Sequence, residues 1–131
     1  MKDILIEGSH DSYFTPYVHF SASTGRCKIM GESYLEESFE FYDRLIGWIH
    51  EYFANGNKSL ELTIKLTYFN TSSSRCLTDM MRVLKSYQDK GYDVNVVWMY
   101  PTPDDDDIKQ EGIDMQDETK IKMEFIEYRA D

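Results

Sequence analysis

The sequence predicts an α/β fold, with a mixed β-sheet carrying helices mainly on one of its faces. Three observations carry this reading. Predicted strands and helices alternate along the chain, the pattern of crossover connections between parallel strands. The strand "SLELTIKLTYF" (59–69) alternates strictly between apolar and polar residues, whereas parallel strands covered on both faces read as continuous apolar runs. No glycine-rich phosphate loop follows any strand, which sets the chain apart from the doubly wound nucleotide folds.

The elements follow in order. Ile4 and Ile6 recur at period two in a short strand. Val18 and Phe20 alternate on one arm of a hairpin, Cys27 and Ile29 on the other, and Ser23-Thr24-Gly25 makes the turn. Pro16 suits the start or edge of a strand. Ser33 and Glu36 have the spacing of a capping box. The helix after it carries Leu35, Phe39, Tyr42, Ile46, Ile49 and Phe53 on one face and ends at Asn55-Gly56-Asn57. In the next strand Leu60, Leu62, Ile64, Leu66 and Tyr68 point one way, and Glu61, Thr63, Lys65 and Thr67 the other. A second helix uses Leu77, Met80, Leu84 and Tyr87, flanked by Cys76 and Met81, and stops at Gly91. A strand at 93–100, a loop into a short acidic helix, and a strand with Ile121, Met123 and Phe125 on one face complete the chain. No repeat or linker divides residues 1–131, so one domain is expected.

Composition narrows the function. With 24 acidic and 14 basic residues the net charge is -10, which argues against nucleic-acid backbones and anionic membranes. No apolar run approaches the ~20 residues of a membrane span, and the charged N-terminus does not read as a signal peptide, so a cytoplasmic protein is expected. Cys27 and Cys76 are too few for a disulfide framework or a cysteine-rich zinc site and read as buried small side chains. His10, His19 and His50 lack metal-ligand spacing. The acidic run Asp104–Asp107 lacks the spaced ligands of a calcium loop and suits a helix start. Neither a cofactor nor a metal is implied.

One constellation stands out. Asn70, Thr71, Ser72, Ser73 and Ser74 lie between the alternating strand and the second helix. Asn70 or Thr71 serves as N-cap. The remaining hydroxyls fall in the first turn, where unpaired N–H groups and the helix dipole stabilise a phosphate. Helix capping alone accounts for part of the cluster. The other reading is a phosphoacceptor, or a binding site for the phosphate of a small ligand or nucleotide. With no acid–base or nucleophile set in view, a non-enzymatic phosphorylation switch is favoured over a ligand-binding domain. On the first helix Phe41, Leu45, Trp48 and Tyr52 form a second stripe. Burial is its ordinary fate; if left exposed, Phe41, Trp48 and Tyr52 make a candidate partner surface.

The segments "TPYVHF", "GESYLEES", "FYDRLIGWIHEYF" and above all "YFNTSSSRCL" resemble the SiaC family of bacterial regulatory phosphoproteins, from about Thr15 to Phe125. The resemblance implies a fold similar to the STAS domain of anti-sigma-factor antagonists, with Thr71 as phosphoacceptor. It implies a serine/threonine kinase with a histidine-kinase-like ATPase domain and a PP2C-type phosphatase as partners. It also implies that the unphosphorylated form binds and activates a diguanylate cyclase, raising cyclic di-GMP and promoting aggregation and biofilm. Leu35 stands where the family often has proline, a change at the helix entry.

Overall fold

The computed structural model describes residues 1–10, 13–102 and 107–129. The strands are β1 (Ile4–Ile6), β2 (Ser9–His10), β3 (Phe14–Thr15), β4 (Tyr17–Phe20), β5 (Arg26–Ser33), β6 (Ser59–Phe69), β7 (Asp93–Thr102) and β8 (Met123–Arg129). The helices are α1 (Ser38–Ala54), α2 (Thr71–Asp89) and α3 (Asp107–Thr119). The main sheet has the order β1-β4-β5-β6-β7-β8, and β2 pairs with β3 in a separate ribbon. β1 pairs with β4 and β4 with β5 antiparallel, while β5 through β8 pair in parallel. The sheet is therefore mixed, as its sequence predicts.

Each helix connects adjacent parallel strands, and α2 packs against both α1 and α3. The three form one layer. Beneath it Leu60, Leu62, Ile64 and Leu66 are buried, whereas Glu61 and Thr67 are exposed and Thr63 and Lys65 are half-exposed. The strict alternation of β6 thus reports a one-sided sheet. Tyr68 departs from it and is exposed. The β5–β6 register slips between Gly31 and Glu32, so that Gly31 pairs with Leu66 but Glu32 with Tyr68. Thr67 is the extra residue of this bulge, and it turns Tyr68 onto the uncovered face.

The start of α1 also differs from its sequence signature. Ser33 is not a cap but the last residue of β5, fully buried and paired with Phe69. The helix begins at Ser38 after Glu37, whose side chain makes no capping bond. Parallel pairing, together with the Asn70 amide donating to the Ser33 carbonyl at 3.0 Å, outweighs the capping box. The buried face of α1 comprises Ser38, Tyr42, Leu45, Trp48, Ile49, Tyr52 and Phe53. Phe39 is 50% exposed, and Leu35 and Ile46 are half-buried. The core-facing arc is rotated toward the second stripe.

One close approach fixes α3 over β7. A Cβ on Gly112 would lie 2.6 Å from Trp98 Nε1. Trp98 is itself buried, its N–H donating to the Ile108 carbonyl at 2.9 Å. Gly112→Ala gains ~1 kcal/mol of helix propensity, but the indole has no room to yield and overpacking costs about 1–3 kcal/mol. A lower melting temperature is expected by thermal denaturation; an unchanged or raised one would show that α3 lifts freely from the sheet.

Candidate functional site

The polar cluster lies where β6 delivers the chain from the middle of the sheet into α2. Asn70 is the N-cap, with φ -83° and ψ 175°. Its side-chain oxygen accepts from the Ser73 amide at 3.0 Å and from the Ser72 hydroxyl at 3.2 Å, and its side-chain nitrogen donates to the Leu35 carbonyl at 3.3 Å. One amide thereby ties the start of α2 to the segment entering α1. Of the two cap candidates in the sequence, Asn70 takes the role, and Thr71 becomes the first helical residue.

The hydroxyls separate by environment. Ser73 is fully buried and bridges to Ser33, 2.8 Å from its hydroxyl and 3.1 Å from its carbonyl oxygen. Ser33 in turn lies 2.8 Å from the Tyr42 hydroxyl. Desolvation pushes the Tyr42 phenol well above its ordinary pKa, so it remains a neutral member of this chain. Ser72 is half-buried, 2.8 Å from the hydroxyl of the buried Ser38. Ser74 is half-buried and donates to Glu111 at 3.4 Å. Thr71 alone of the four is exposed, and no described residue hydrogen-bonds its hydroxyl. Three hydroxyls close the junction of β5, α1 and α2 or reach toward α3, and the fourth faces solvent.

Thr71 sits at one end of a polar groove along α2, lined also by Ser74, Arg75, Thr78, Asp79, Arg82 and Glu118. Arg82 is held by Asp79 at 3.0 Å and Glu118 at 2.6 Å. Arg75, one turn beyond Thr71, is exposed and pairs with no carboxylate among the described residues. Its spacing of four places its guanidinium on the same side as Thr71. The site therefore offers an accessible hydroxyl, helix N–H groups and, in Arg75, a cation with no carboxylate partner among the described residues.

The other candidates resolve differently. Trp48 and Tyr52 are buried, so they do not form an exposed partner flank with Phe41, which is half-buried. Trp48 stacks on Tyr52 and meets Phe20 edge-on, and its N–H donates to the Lys2 carbonyl at 2.8 Å. Tyr52 donates to the Ser59 carbonyl at 2.6 Å. These rings are core because each polar end finds a backbone partner. The histidines lie apart, beside Glu32, Asp3 and Tyr87 respectively, and no described cluster of His, Cys, Asp or Glu has the makings of a metal site. Asp104, Asp105 and Asp106 lie outside the described residues; Asp107 stands in the first turn of α3.

Both thiols are buried. Burial, aided by the negative charges of Asp79 and Asp43, pushes Cys76 up to about 11, and burial raises Cys27 further. A raised thiol pKa leaves no thiolate for nucleophilic chemistry at neutral pH. Its stabilising effect is complete below the unfolded value of ~8.5 and is lost as pH rises through the folded value. Neither cysteine should react with iodoacetamide at pH 8 until denaturant unfolds the chain. Labelling of Cys76 in the native protein would mean that the start of α2 opens.

Two parts of the site are absent from the sequence reading. Ser33 and Ser38, far from the polar run in sequence, complete its buried bonds. The exposed rings of Tyr13, Tyr34 and Tyr68 lie in series at 6.1 Å spacings beside the β6–α2 junction, the first pair stacked and the second tilted. The adjoining ribbon supports them through the backbone pairing of Phe14 with Tyr34. The tyrosine-rich composition was the available signal, but the bulge that gathers these rings has none.

With this geometry in place, comparison with known proteins is specific. Residues 6–128 match the model for "SiaC family regulatory phosphoprotein". The chain is 33% identical over 100 residues to an uncharacterized protein of Pseudomonas aeruginosa strain UCBPP-PA14, covering 76% of this chain and 77% of that one. Among solved structures it is similar to SiaC of P. aeruginosa, with TM-score 0.83 and 25% identity over 99% of this chain and 100% of that chain. It is also similar to a chain in the crystal structure of the P. aeruginosa diguanylate cyclase SiaD in complex with its activator SiaC. That match has TM-score 0.87 and 25% identity, covering 96% of this chain and 100% of the other.

Proposed function

Because the chain belongs to the SiaC family of regulatory phosphoproteins, we propose that it is a partner-binding switch thrown by reversible phosphorylation of Thr71, acting by binding rather than by catalysis. The observation that carries this reading is the sorting of the hydroxyls. Ser73 is sealed in the core and Ser72 and Ser74 are half-buried and bonded, while Thr71 is exposed and no described residue bonds its hydroxyl. A kinase needs an acceptor that it can surround, and among the four hydroxyls of this cluster Thr71 is the one presented that way.

A phosphate there is also locally tolerated. It would stand at the N-terminus of a long helix, beside donors of the first turn and one turn from Arg75. In this reading a serine/threonine kinase with a histidine-kinase-like ATPase domain installs the phosphate and a PP2C-type phosphatase removes it. The output partner is a diguanylate cyclase, bound and activated by the unphosphorylated form. Support for the cyclase comes from the similarity to a structure whose cyclase, SiaD, is described with SiaC as its activator. No helix among the described residues is long and apolar enough to cross a membrane.

The test combines the cognate kinase, ATP and the purified chain, followed by peptide mass mapping and a cyclase assay. Phosphate is expected on Thr71, and stimulation of the cyclase by the unmodified chain only. Phosphate mapped to Ser72 or Ser74, with Thr71→Ala still phosphorylated, would move the acceptor and defeat the assignment.

A further inference from the structure

We propose that the uncovered face of the sheet is the docking surface for an acidic, amphipathic segment of the cyclase, with Lys28 and Lys65 meeting its carboxylates and Tyr17, Met30 and Met99 its apolar side chains. The proposal rests on the cyclase reading above and adds to it a surface and a partner chemistry.

Cross-strand register places these side chains together. His19 pairs with Lys28 and Lys28 with Thr63; Tyr17 pairs with Met30 and Met30 with Lys65; Met99 pairs with Ile126. Tyr17 and His19 on β4, Lys28 on β5, and Thr63 and Lys65 on β6 alternate with buried residues, and Met30 and Met99 each follow one, Ile29 and Trp98, so they share the face that no helix covers. Leu5, 60% exposed and paired with His19, and Ile126, 36% exposed, end the apolar band. A shallow depression lined by Tyr17, His19, Lys28, Met30 and Gly31 lies within it.

Charge indicates the occupant. In a chain with 24 acidic and 14 basic residues, most surface cations should find nearby acids. Yet Lys28 and Lys65 pair with no carboxylate among the described residues, Lys65 lying instead 4.4 Å from the Tyr128 ring centroid. The acids of this face stand around them: Glu61 opposite Arg26, Glu32 opposite Tyr68, Glu124 opposite Val97, and Asp3 near His19. The centre is basic and apolar. An isologous contact centred on this face would bring its basic centre against the basic centre of a second copy around the twofold axis, which disfavours self-association. An acidic partner segment is complementary.

The same chemistry gives the switch its direction. The face runs into the β6–α2 junction through Tyr68, three residues before Thr71. Thr71 itself lines the groove along α2, so a segment that continues from the face past Tyr68 and round the junction would meet the phosphoacceptor, where a phosphate repels the carboxylates that Lys28 and Lys65 attract.

The experiment measures the affinity of the unphosphorylated chain for the full-length cognate cyclase by calorimetry at several salt concentrations. Lys28→Glu/Lys65→Glu is compared with Lys58→Glu/Lys90→Glu, which changes net charge equally away from this face. Thermal melting monitors folding of both, and Met30→Asp probes the band without touching either lysine. At least about tenfold weaker binding is expected for the face variants, with a flattened salt dependence for the lysine pair and near-normal binding for the control. Equal weakening in both lysine pairs, or wild-type binding by the folded face variants, overturns the proposal and leaves the cyclase reading standing. A wild-type chain that binds no cyclase overturns both. A face reversal that abolishes self-association or oligonucleotide binding while sparing the cyclase assigns the surface to those occupants instead.

Discussion

Phosphorylated on Thr71, the chain should bind the cyclase about a thousandfold more weakly than the unmodified chain, a loss of ~4 kcal/mol. The phosphate adds roughly -1.5 to -2 charge and three acceptor oxygens at neutral pH. Within the chain that charge is met by the first turn of α2 and by Arg75, so the melting temperature should move little. Across an interface the balance is different. A partner fitted to an uncharged Thr71 must desolvate a dianion or be held off by it, and a chain already at net charge -10 adds no compensating field. Thr71→Ala separates the two effects. Because Asn70 rather than Thr71 makes the capping bond, this variant should lose no more than about 0.5 kcal/mol of stability. It should resist the kinase and bind the cyclase normally. Thr71→Asp is a weaker mimic, since one carboxylate matches neither the charge nor the oxygens of phosphate. The decisive measurement is titration calorimetry on purified phosphorylated and unmodified chains. Equal affinities, with the phosphate confirmed on Thr71, would leave that hydroxyl without a regulatory role.

How much of this was legible in the sequence depends on whether the signal was local. The alternation of β6 showed a one-sided sheet because every second residue reports the same environment. The core face of α2 and the stop at Gly91 were equally plain. Two failures have a shared cause. Ser33 and Glu36 satisfy a capping box, yet Ser33 completes a parallel ladder with Phe69, a partner 36 residues away; no local pattern reveals such competition. On α1 two adjacent apolar stripes each satisfy helical spacing, and only packing against Phe20 and the β-strands chooses Trp48 and Tyr52 over Phe39. The bulge at Thr67 is likewise invisible, because "LTYF" reads as continued alternation. For the site, the run Asn70–Ser74 was conspicuous, but its division into one accessible and three engaged hydroxyls came from Ser33, Ser38 and Glu111, all brought in by the fold.

That division makes the second large effect a matter of stability rather than binding. Ser73→Val should destabilise the chain by about 2–4 kcal/mol, whereas Thr71→Val should stay within ~0.5 kcal/mol of the parent. Ser73 has no exposed surface, and its hydroxyl engages both the hydroxyl and the carbonyl of Ser33 and lies 3.4 Å from the Ser38 hydroxyl. Removing it costs one well-made buried bond or more, ~1 kcal/mol each. The added methyl groups must then fit a junction already filled by Tyr42, Ser38 and Leu77, all at most 1% exposed. For a chain of this length the sum corresponds to a fall of roughly 10 °C in melting temperature. Ser73→Ala, which removes the bonds without overfilling the site, should fall between parent and Val. Thermal and urea denaturation of the three variants would test the order. Should Ser73→Val melt with the parent, the buried network would be no anchor for α2. Ser73 would then be free to swing outward and compete with Thr71 for the kinase.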